Sequence, residues 1–462
     1  MTDRMANSGI ILRFAVVVVL AVASTAQSQT NGPAASQLDL ARMQQIIQSR
    51  VEAQKFMGTV LVERDGKVLL DQGYGYANLE WKIPNSPTTK FRLGSVTKQF
   101  TSASILLLEE RGKLNINDPV KKYMADAPAA WDKVTIYHLL THTSGIPSFT
   151  GFPDYTSTEA KASTPEQLVA RFRDKPLNFQ PGEKWEYSNS GYVLLGYLLE
   201  KISGQKYADF VEGNIFTPLG MKDSGYDSNS AIIAHRASGY SPAPNGTINS
   251  GYIDMSIPFS AGALYSTTED LMRWEEGLFG GKVLSAPELQ KMTTPFKSDY
   301  AFGLGVREDH GHKLIDHGGG IEGFNTYVSY YPNEKLAVIV LANLNGAAPG
   351  EIGHNLAAVV HGEKVVLASE RKEIAVPPQV LAKYVGTYEL TPGFSIAVTL
   401  EGNQLITEDT GQPKVPIFPE SETMFFPKVV DAEIEFIRNE KGEATAMILH
   451  QGGRDMKGEK KQ

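Results

Sequence analysis

The chain has 462 residues, 42% of them hydrophobic and 21% charged, with a formal net charge of −8 and no cysteine. At roughly 100–200 residues per domain, that is two or three domains, or one large domain with an appendage. The ordinary composition excludes a disordered, collagenous or coiled-coil chain, the acidic balance argues against nucleic acid or an anionic membrane as partner, and the lack of cysteine excludes disulfides, zinc–thiolate sites, a cysteine nucleophile and cysteine lipidation.

Arg4 and Arg13 flank the start of an apolar run over residues 14–23, and Ser24, Thr25 and Ala26 follow. Basic, apolar, then small is the pattern of an export leader, here residues 1–26 with cleavage after Ala26 and Ala23 as the alternative. The run is well short of the roughly 20 apolar residues a span needs. The mature chain is therefore expected to be exported, to the periplasm or beyond the cell, without a membrane span.

Leu40, Met43, Ile47 and Val51 recur at helical spacing. Residues 57–63 read as a strand, Asp65-Gly66 as a hairpin turn and residues 67–70 as the returning strand. A helix is predicted from Ser95 to Arg111, ended by Gly112; its run of Thr101, Ser102, Ala103 and Ser104 fits a helix packed closely on all sides. Further helices are predicted over 165–172, 189–202 and 207–215, and Ser266 with Glu269 reads as a capping box for a helix holding Leu271 and Trp274. Strands are predicted at 302–306, 325–331 and 336–342. Strands at both ends with helices between give an α+β domain whose antiparallel sheet joins sequence-distant pieces. Beyond Val376-Pro377-Pro378 the pattern changes to short strands. Phe394, Ile396, Val398 and Leu400 alternate, Gly402-Asn403 turns, Ile434 and Phe436 alternate with glutamates, and Lys441-Gly442 turns again. This reads as a small, closed or nearly closed β-barrel.

Three short constellations carry chemistry. In Ser95-Val96-Thr97-Lys98, serine and lysine three apart on a helix share a face. A desolvated lysine with a lowered pKa can take the proton of a serine nucleophile. At the helix N-terminus the N–H of Ser95 would also meet developing negative charge. In Tyr187-Ser188-Asn189, a phenol near an ammonium group can shuttle a proton to a leaving group, and the amide of Asn189 can bind a substrate carbonyl. In His317-Gly318-Gly319-Gly320, between predicted strands, glycines admit close backbone approach and histidine offers a donor. Each has a bland counterpart: a solvated S-x-x-K, an Asn189 helix cap with Tyr187 packing its edge, and a glycine-rich turn with an incidental histidine.

In this order the three motifs resemble the serine β-lactamase and penicillin-binding-protein family, in particular the class C β-lactamase branch with its D-aminopeptidase, D-alanyl-D-alanine carboxypeptidase and esterase relatives. The stretches around Phe91–Phe100, Leu139–Gly145 and Pro181–Asn189 resemble it too. The resemblance covers residues 38–362. Residues 363–378 read as a linker, and residues 379–456, with Tyr384-Val385-Gly386-Thr387-Tyr388, resemble the lipocalin-like β domain appended to some members. The resemblance implies an α+β fold, an antiparallel sheet flanked by helices with an all-helical subregion, plus a small C-terminal antiparallel barrel. It implies an acyl-Ser95 intermediate, Lys98 and Tyr187 sharing acid and base work, Asn189 on the substrate amide, and Gly320 giving an oxyanion N–H beside that of Ser95. His317 stands where β-lactamases usually carry lysine, which disfavours efficient β-lactam hydrolysis and favours peptidase, carboxypeptidase or esterase action. No metal or organic cofactor is implied, and the partner is a small molecule or short peptide.

Other readings are weaker. No G-x-S-x-G elbow supports an α/β-hydrolase. Asp309-His310-Gly311-His312 sits at a predicted hairpin tip without a second ligand cluster. His142 is expected to organise a turn, while Tyr192, Phe324 and Tyr327 belong to the cleft or the core. A non-catalytic binder of cell-wall peptides or β-lactams is the alternative outside enzymes, and the C-terminal domain is a candidate cover for the cleft.

Overall fold

The computed structural model describes residues 37–430, 432–451 and 454–461. The expected leader, residues 1–26, lies outside them. Helix α1 (Gln37–Glu52) buries Met43, Ile46 and Ile47. It is followed by β1 (Gly58–Arg64) and β2 (Lys67–Tyr74). Asp65 and Gly66, at φ 50° and 78°, make the tight turn between them. The partners of β1 come from the far end of the domain: β3 (Gly305–Asp309), β4 (His312–Ile321), β5 (Phe324–Tyr331) and β6 (Leu336–Ala342). The six strands form one antiparallel sheet in the order β3-β4-β5-β6-β1-β2. Nearly every residue of β1 and β6 is buried, because helices cover both faces: α1 and α5 (Ala348–His361) on one, α2 (Thr97–Glu110) and α4 (Thr268–Phe279) on the other.

Helix α2 is buried along residues 97–108. Its small hydroxyl residues let neighbours close in, and each finds a partner: Thr101 donates to Ser260 O (2.6 Å), Ser102 meets the Tyr192 hydroxyl (3.1 Å) and Ser104 donates to Phe100 O (2.7 Å). Helix α3 (Asn189–Ser203) packs beside it.

Three elements differ from the sequence reading. Thr267, not Ser266, caps α4, accepting from Asp270 N; Ser266 closes a short strand and bonds Ser224 instead. The strand expected at 302–306 begins at Gly305, because residues 301–304 form a tight loop. There Gly303, at φ 70°, lies so close to Lys98 O that a Cβ would fall 2.7 Å from it. The helix at 207–215 runs as an α-turn over Tyr207–Val211 that widens to a π-turn over Glu212–Phe216.

The C-terminal strands β7 (Gly386–Thr391) to β14 (Arg454–Lys460) close into an eight-stranded antiparallel barrel, β14 pairing back onto β7. Its interior is apolar, with Tyr384, Tyr388, Phe425 and Phe436 packed ring on ring. The barrel faces α5 across a cavity of about 280 Å³ lined by groups such as His354, Glu363, Glu433 and His450. Arg371 ties the connecting segment to the barrel through Glu420 (2.7 Å) and Glu433.

Candidate active site

Ser95 lies in a short 3-10 turn, Gly94–Val96, that runs directly into α2. Its N–H therefore belongs to a first turn, where helical N–H groups have no intrahelical acceptor. Beyond the end of β3, residues 317–321 of β4 form an open edge that presses on this turn. The glycines make that approach possible: a Cβ on Gly319 would fall 2.0 Å from Leu93 O, and one on Gly94 2.8 Å from Gly320 N. Thr326 of β5 pins the same place, donating to Leu93 O at 2.8 Å. The glycine triplet thus brings the backbone of Gly320 beside Ser95.

Lys98 has no solvent exposure. Its Nζ lies 2.9 Å from Asn189 Oδ1, 2.9 Å from Ala261 O and 3.0 Å from Ser95 Oγ. Burial holds its pKa well below the usual lysine range. A neutral amine has two hydrogens and one lone pair. The two carbonyl oxygens can only accept, so when the amine is neutral they take its hydrogens and the lone pair is left for the Ser95 hydroxyl. Tyr187 OH donates to the same Oγ at 2.7 Å. Burial raises the Tyr187 pKa, with the Ser95 hydrogen bond opposing, so the phenol keeps its proton. The Lys98 Nζ also stands 4.8 Å from the Tyr187 ring centroid. Asn189, the first residue of α3, is fixed between Lys98 and Thr150, to whose Oγ1 its Nδ2 donates at 3.1 Å. The cap of α3 is Ser188, which accepts from Gly191 N.

His317, expected among the substrate-binding residues with Asn189 and Gly320, is set back from the cavity. Its ring is buried and does not line the cavity at Ser95. Nδ1 donates to Gly318 O (2.6 Å), which leaves Nε2 to accept from Tyr300 OH (2.9 Å). The Tyr300 oxygen in turn accepts from His142 Nε2 (3.2 Å), and His142 Nδ1 accepts from Ser188 N (3.1 Å). This order of donors and acceptors is that of two neutral imidazoles. Burial pushes His317 down to about 4 and holds His142 well below its ordinary value. His142, at φ 56°, does organise its turn, and its ring also packs 4.4 Å from that of Tyr187. Tyr300 carried no signal in the sequence.

The cavity at Ser95 measures about 190 Å³ and is lined by Gly94, Phe149, Tyr155, Asn189, Gly320 and Glu322 among others. All its lining residues lie between Gly94 and Glu322, so the barrel contributes no wall to it. Tyr192, Phe324 and Tyr327 are buried and do not line it: Tyr192 donates to Leu140 O and Tyr327 to Asp316. Phe149, Thr150 and Tyr155 stand in their place, from a segment with no motif.

The hairpin around Asp309-His310-Gly311-His312 does acquire neighbours. The ligand atoms of His312, Glu334 and His361 lie within 4.8 Å of one another. The imidazoles of His312 and His361 are stacked face to face, 3.7 Å apart and 5° from parallel. Ring lone pairs lie in the ring plane, so in this arrangement they do not converge on one ion.

The family profile described as Beta-lactamase matches residues 43–363, and one described as a domain of unknown function (DUF3471) matches residues 370–460. The chain is 30% identical over 437 residues to "Penicillin-binding protein 4*" of Bacillus subtilis (strain 168), covering 89% of this chain and 96% of that one. Among solved structures it resembles the octameric penicillin-binding protein homologue from Pyrococcus abyssi (TM-score 0.66, 28% identity, 91% of this chain and 100% of the other). It also resembles the D-amino acid amidase from Ochrobactrum anthropi SV3 complexed with D-phenylalanine (TM-score 0.64, 25% identity, 70% of this chain and 99% of the other).

Proposed function

Because this chain belongs to the beta-lactamase family, we propose that it is an exported serine hydrolase that opens an amide, peptide or ester bond through an acyl-Ser95 intermediate. The observation that carries this reading is the proton inventory at Ser95. The buried Lys98 amine, its pKa lowered by burial, has Nζ 3.0 Å from Oγ, and the Tyr187 phenol donates to Oγ at 2.7 Å. Lys98 takes the hydroxyl proton as Oγ attacks the substrate carbonyl. The oxyanion meets the N–H groups of Ser95 and Gly320, donors set in place before the charge develops. Tyr187 gives its proton to the leaving nitrogen or oxygen and recovers one from the Lys98 side. Water then attacks the acyl-enzyme by the reverse proton path, releasing the acid and free Ser95. Asn189 holds Lys98 in register and offers its amide to the substrate. His317, with Tyr300 and His142, is a positioning group that braces the β4 edge and the Tyr187 segment together.

The neutral His317 supplies no fixed charge for a substrate carboxylate. This supports peptidase, amidase or esterase action over efficient β-lactam hydrolysis. Export rests on the basic, apolar and small-residue pattern of residues 1–26; among the described residues no helix is long and apolar enough to cross a membrane. A steady-state comparison of p-nitrophenyl acetate, nitrocefin and amino-acid amides tests the reading. Ester or amide turnover that is abolished in Ser95→Ala supports it. Turnover that survives in Ser95→Ala contradicts it.

A further inference from the structure

We propose that Tyr192 is a positioning residue for the base: its ring face receives the positive charge that forms on Lys98 as Ser95 gives up its proton. This inference rests on the acyl-Ser95 reading and adds to that site a residue outside the cavity. Tyr192 has no solvent exposure and does not line the space at Ser95. Its contact is with the lysine.

The proton transfer creates a charge that needs a partner. As Oγ attacks, its O–H bond breaks, its electron pair goes to the substrate carbonyl carbon, and an N–H bond forms at Nζ. The substrate oxygen then carries the negative charge and Lys98 the positive one. Three oxygens surround Nζ, those of Asn189, Ala261 and Ser95, and none belongs to an acid. Burial lowers the Lys98 pKa, and no acid offsets it. The imidazoles of His142 and His317 feel the Lys98 charge, and neither can be negative. A buried cation without a counterion is costly. Two aromatic faces stand where the acid is missing. Nζ lies over the Tyr187 ring, 4.8 Å from its centroid, and over the Tyr192 ring, 5.5 Å from its centroid. Both are inside the roughly 6 Å over which a ring face attracts a cation, and the attraction is larger when the cation is desolvated. Tyr187 has a second task as donor to Oγ. The Tyr192 proton is committed elsewhere, to Leu140 O at 2.9 Å, so its ring is what it offers the base.

The fold holds the ring there by pairing two helices. Lys98 and Ser102 lie one turn apart on α2, and Asn189 and Tyr192 lie one turn apart on α3. Where the helices meet, Lys98 bonds Asn189 at 2.9 Å and Ser102 bonds the Tyr192 hydroxyl at 3.1 Å. The base, its amide partner and its ring are thereby kept in register. The His142 ring packs 5.0 Å from that of Tyr192 and closes the other side. Burial weakens Lys98 as a base. The ring faces return part of that strength, which suits a general base working near neutral pH.

The test follows stopped-flow acylation by p-nitrophenyl acetate against pH in the wild type, Tyr192→Phe, Tyr192→Leu and Tyr192→Met, each checked for folding by thermal unfolding. The rate falls on the acid side as Lys98 is protonated, and the midpoint of that fall reads the proton affinity of the base. Tyr192→Phe keeps the ring and loses the hydroxyl bonds, so it carries the structural cost and should leave the midpoint unmoved. Tyr192→Leu and Tyr192→Met lose the ring face. They should move the midpoint to lower pH by about one pH unit, a tenfold loss of proton affinity. Methionine, unbranched and adaptable, serves where leucine does not fold. A folded ring-free variant whose midpoint stays at the wild-type value or moves to higher pH would overturn the inference, as would an equal shift in Tyr192→Phe. Fluorophosphonate labelling separates the two claims: Ser95 labelled, with the midpoint unmoved in the ring-free variants, overturns the role of Tyr192 alone, and an unlabelled Ser95 in folded wild-type protein overturns the acyl-enzyme reading with it.

Discussion

Replacing Gly319 with alanine tests whether the glycine triplet builds the site by contact. The added Cβ would stand 2.0 Å from Leu93 O and 2.3 Å from Thr326 Oγ1. Ordinary contact for such a carbon begins near 3.4 Å. The β4 edge and the Leu93–Ser95 turn must therefore separate by about 1 Å. Leu93 O is held by Thr326 at 2.8 Å, so the hydroxyl cannot swing aside without losing a buried bond. The displacement falls between Ser95 and Gly320 N, the two donors meant for one oxygen. A misplacement of about 1 Å costs roughly 100-fold in rate, and overpacking costs about 1–3 kcal/mol in stability. Gly318→Ala is the control: its Cβ meets only Thr326 O at 3.7 Å. Stopped-flow acylation by a chromogenic ester, beside thermal unfolding, reads both effects. Gly319→Ala should remain folded, melt a few degrees lower and acylate about 100-fold more slowly, with Gly318→Ala near wild type. Equal rates in the two variants would refute the idea that close approach at Gly319 aligns the oxyanion donors.

The acylation rate should fall as pH drops through the lowered pKa of Lys98, since the protonated amine cannot accept from Ser95; pre-steady-state acylation against pH reads this, and a profile that instead rises only near pH 10 would point to an ordinary lysine. His317 has a folded pKa of about 4 against 6.5 in the unfolded chain, so its contribution to stability is complete above pH 6.5 and is lost as pH falls towards 4. Replacing it with glutamine should flatten chemical-denaturation stability over that window. Glu275 has the opposite sign: burial raises its carboxyl from 4.5 to about 8, so its stabilisation is present below pH 4.5 and lost as pH rises through 8. Glu275→Gln should therefore be more stable than wild type at pH 8, by a few kcal/mol in order of magnitude, and urea titrations at pH 5 and pH 8 check this.

Much of this architecture was legible from local pattern. Short runs rich in β-branched and aromatic residues marked β1, β5 and β6, Asp65-Gly66 marked a turn that needs positive φ, and the change to short alternating strands after Pro378 marked the barrel. The small-residue stretch in α2 announced its burial, and with it the lowered pKa of Lys98. What escaped the sequence depends on tertiary contact. Nothing near Tyr300 signals that its hydroxyl links His142 to His317, two residues far apart in sequence but joined through one oxygen. The imidazole at the third motif could be read as a substrate-binding donor because its contact with Tyr300 is not visible from its neighbours in sequence. The cap of α4 slipped by one residue because Ser266 had a competing partner in Ser224.

The most direct measurement is intact-protein mass spectrometry after mixing with a panel of amino-acid esters, short acyl esters and penicillin, with peptide mapping of any adduct. The account predicts a mass increase equal to the acyl group, localised to Ser95, that persists longer in Tyr187→Phe and disappears in Ser95→Ala. Folded wild-type protein that hydrolyses a panel member while its adduct maps to another residue, or that gives the same adduct in Ser95→Ala, would contradict it.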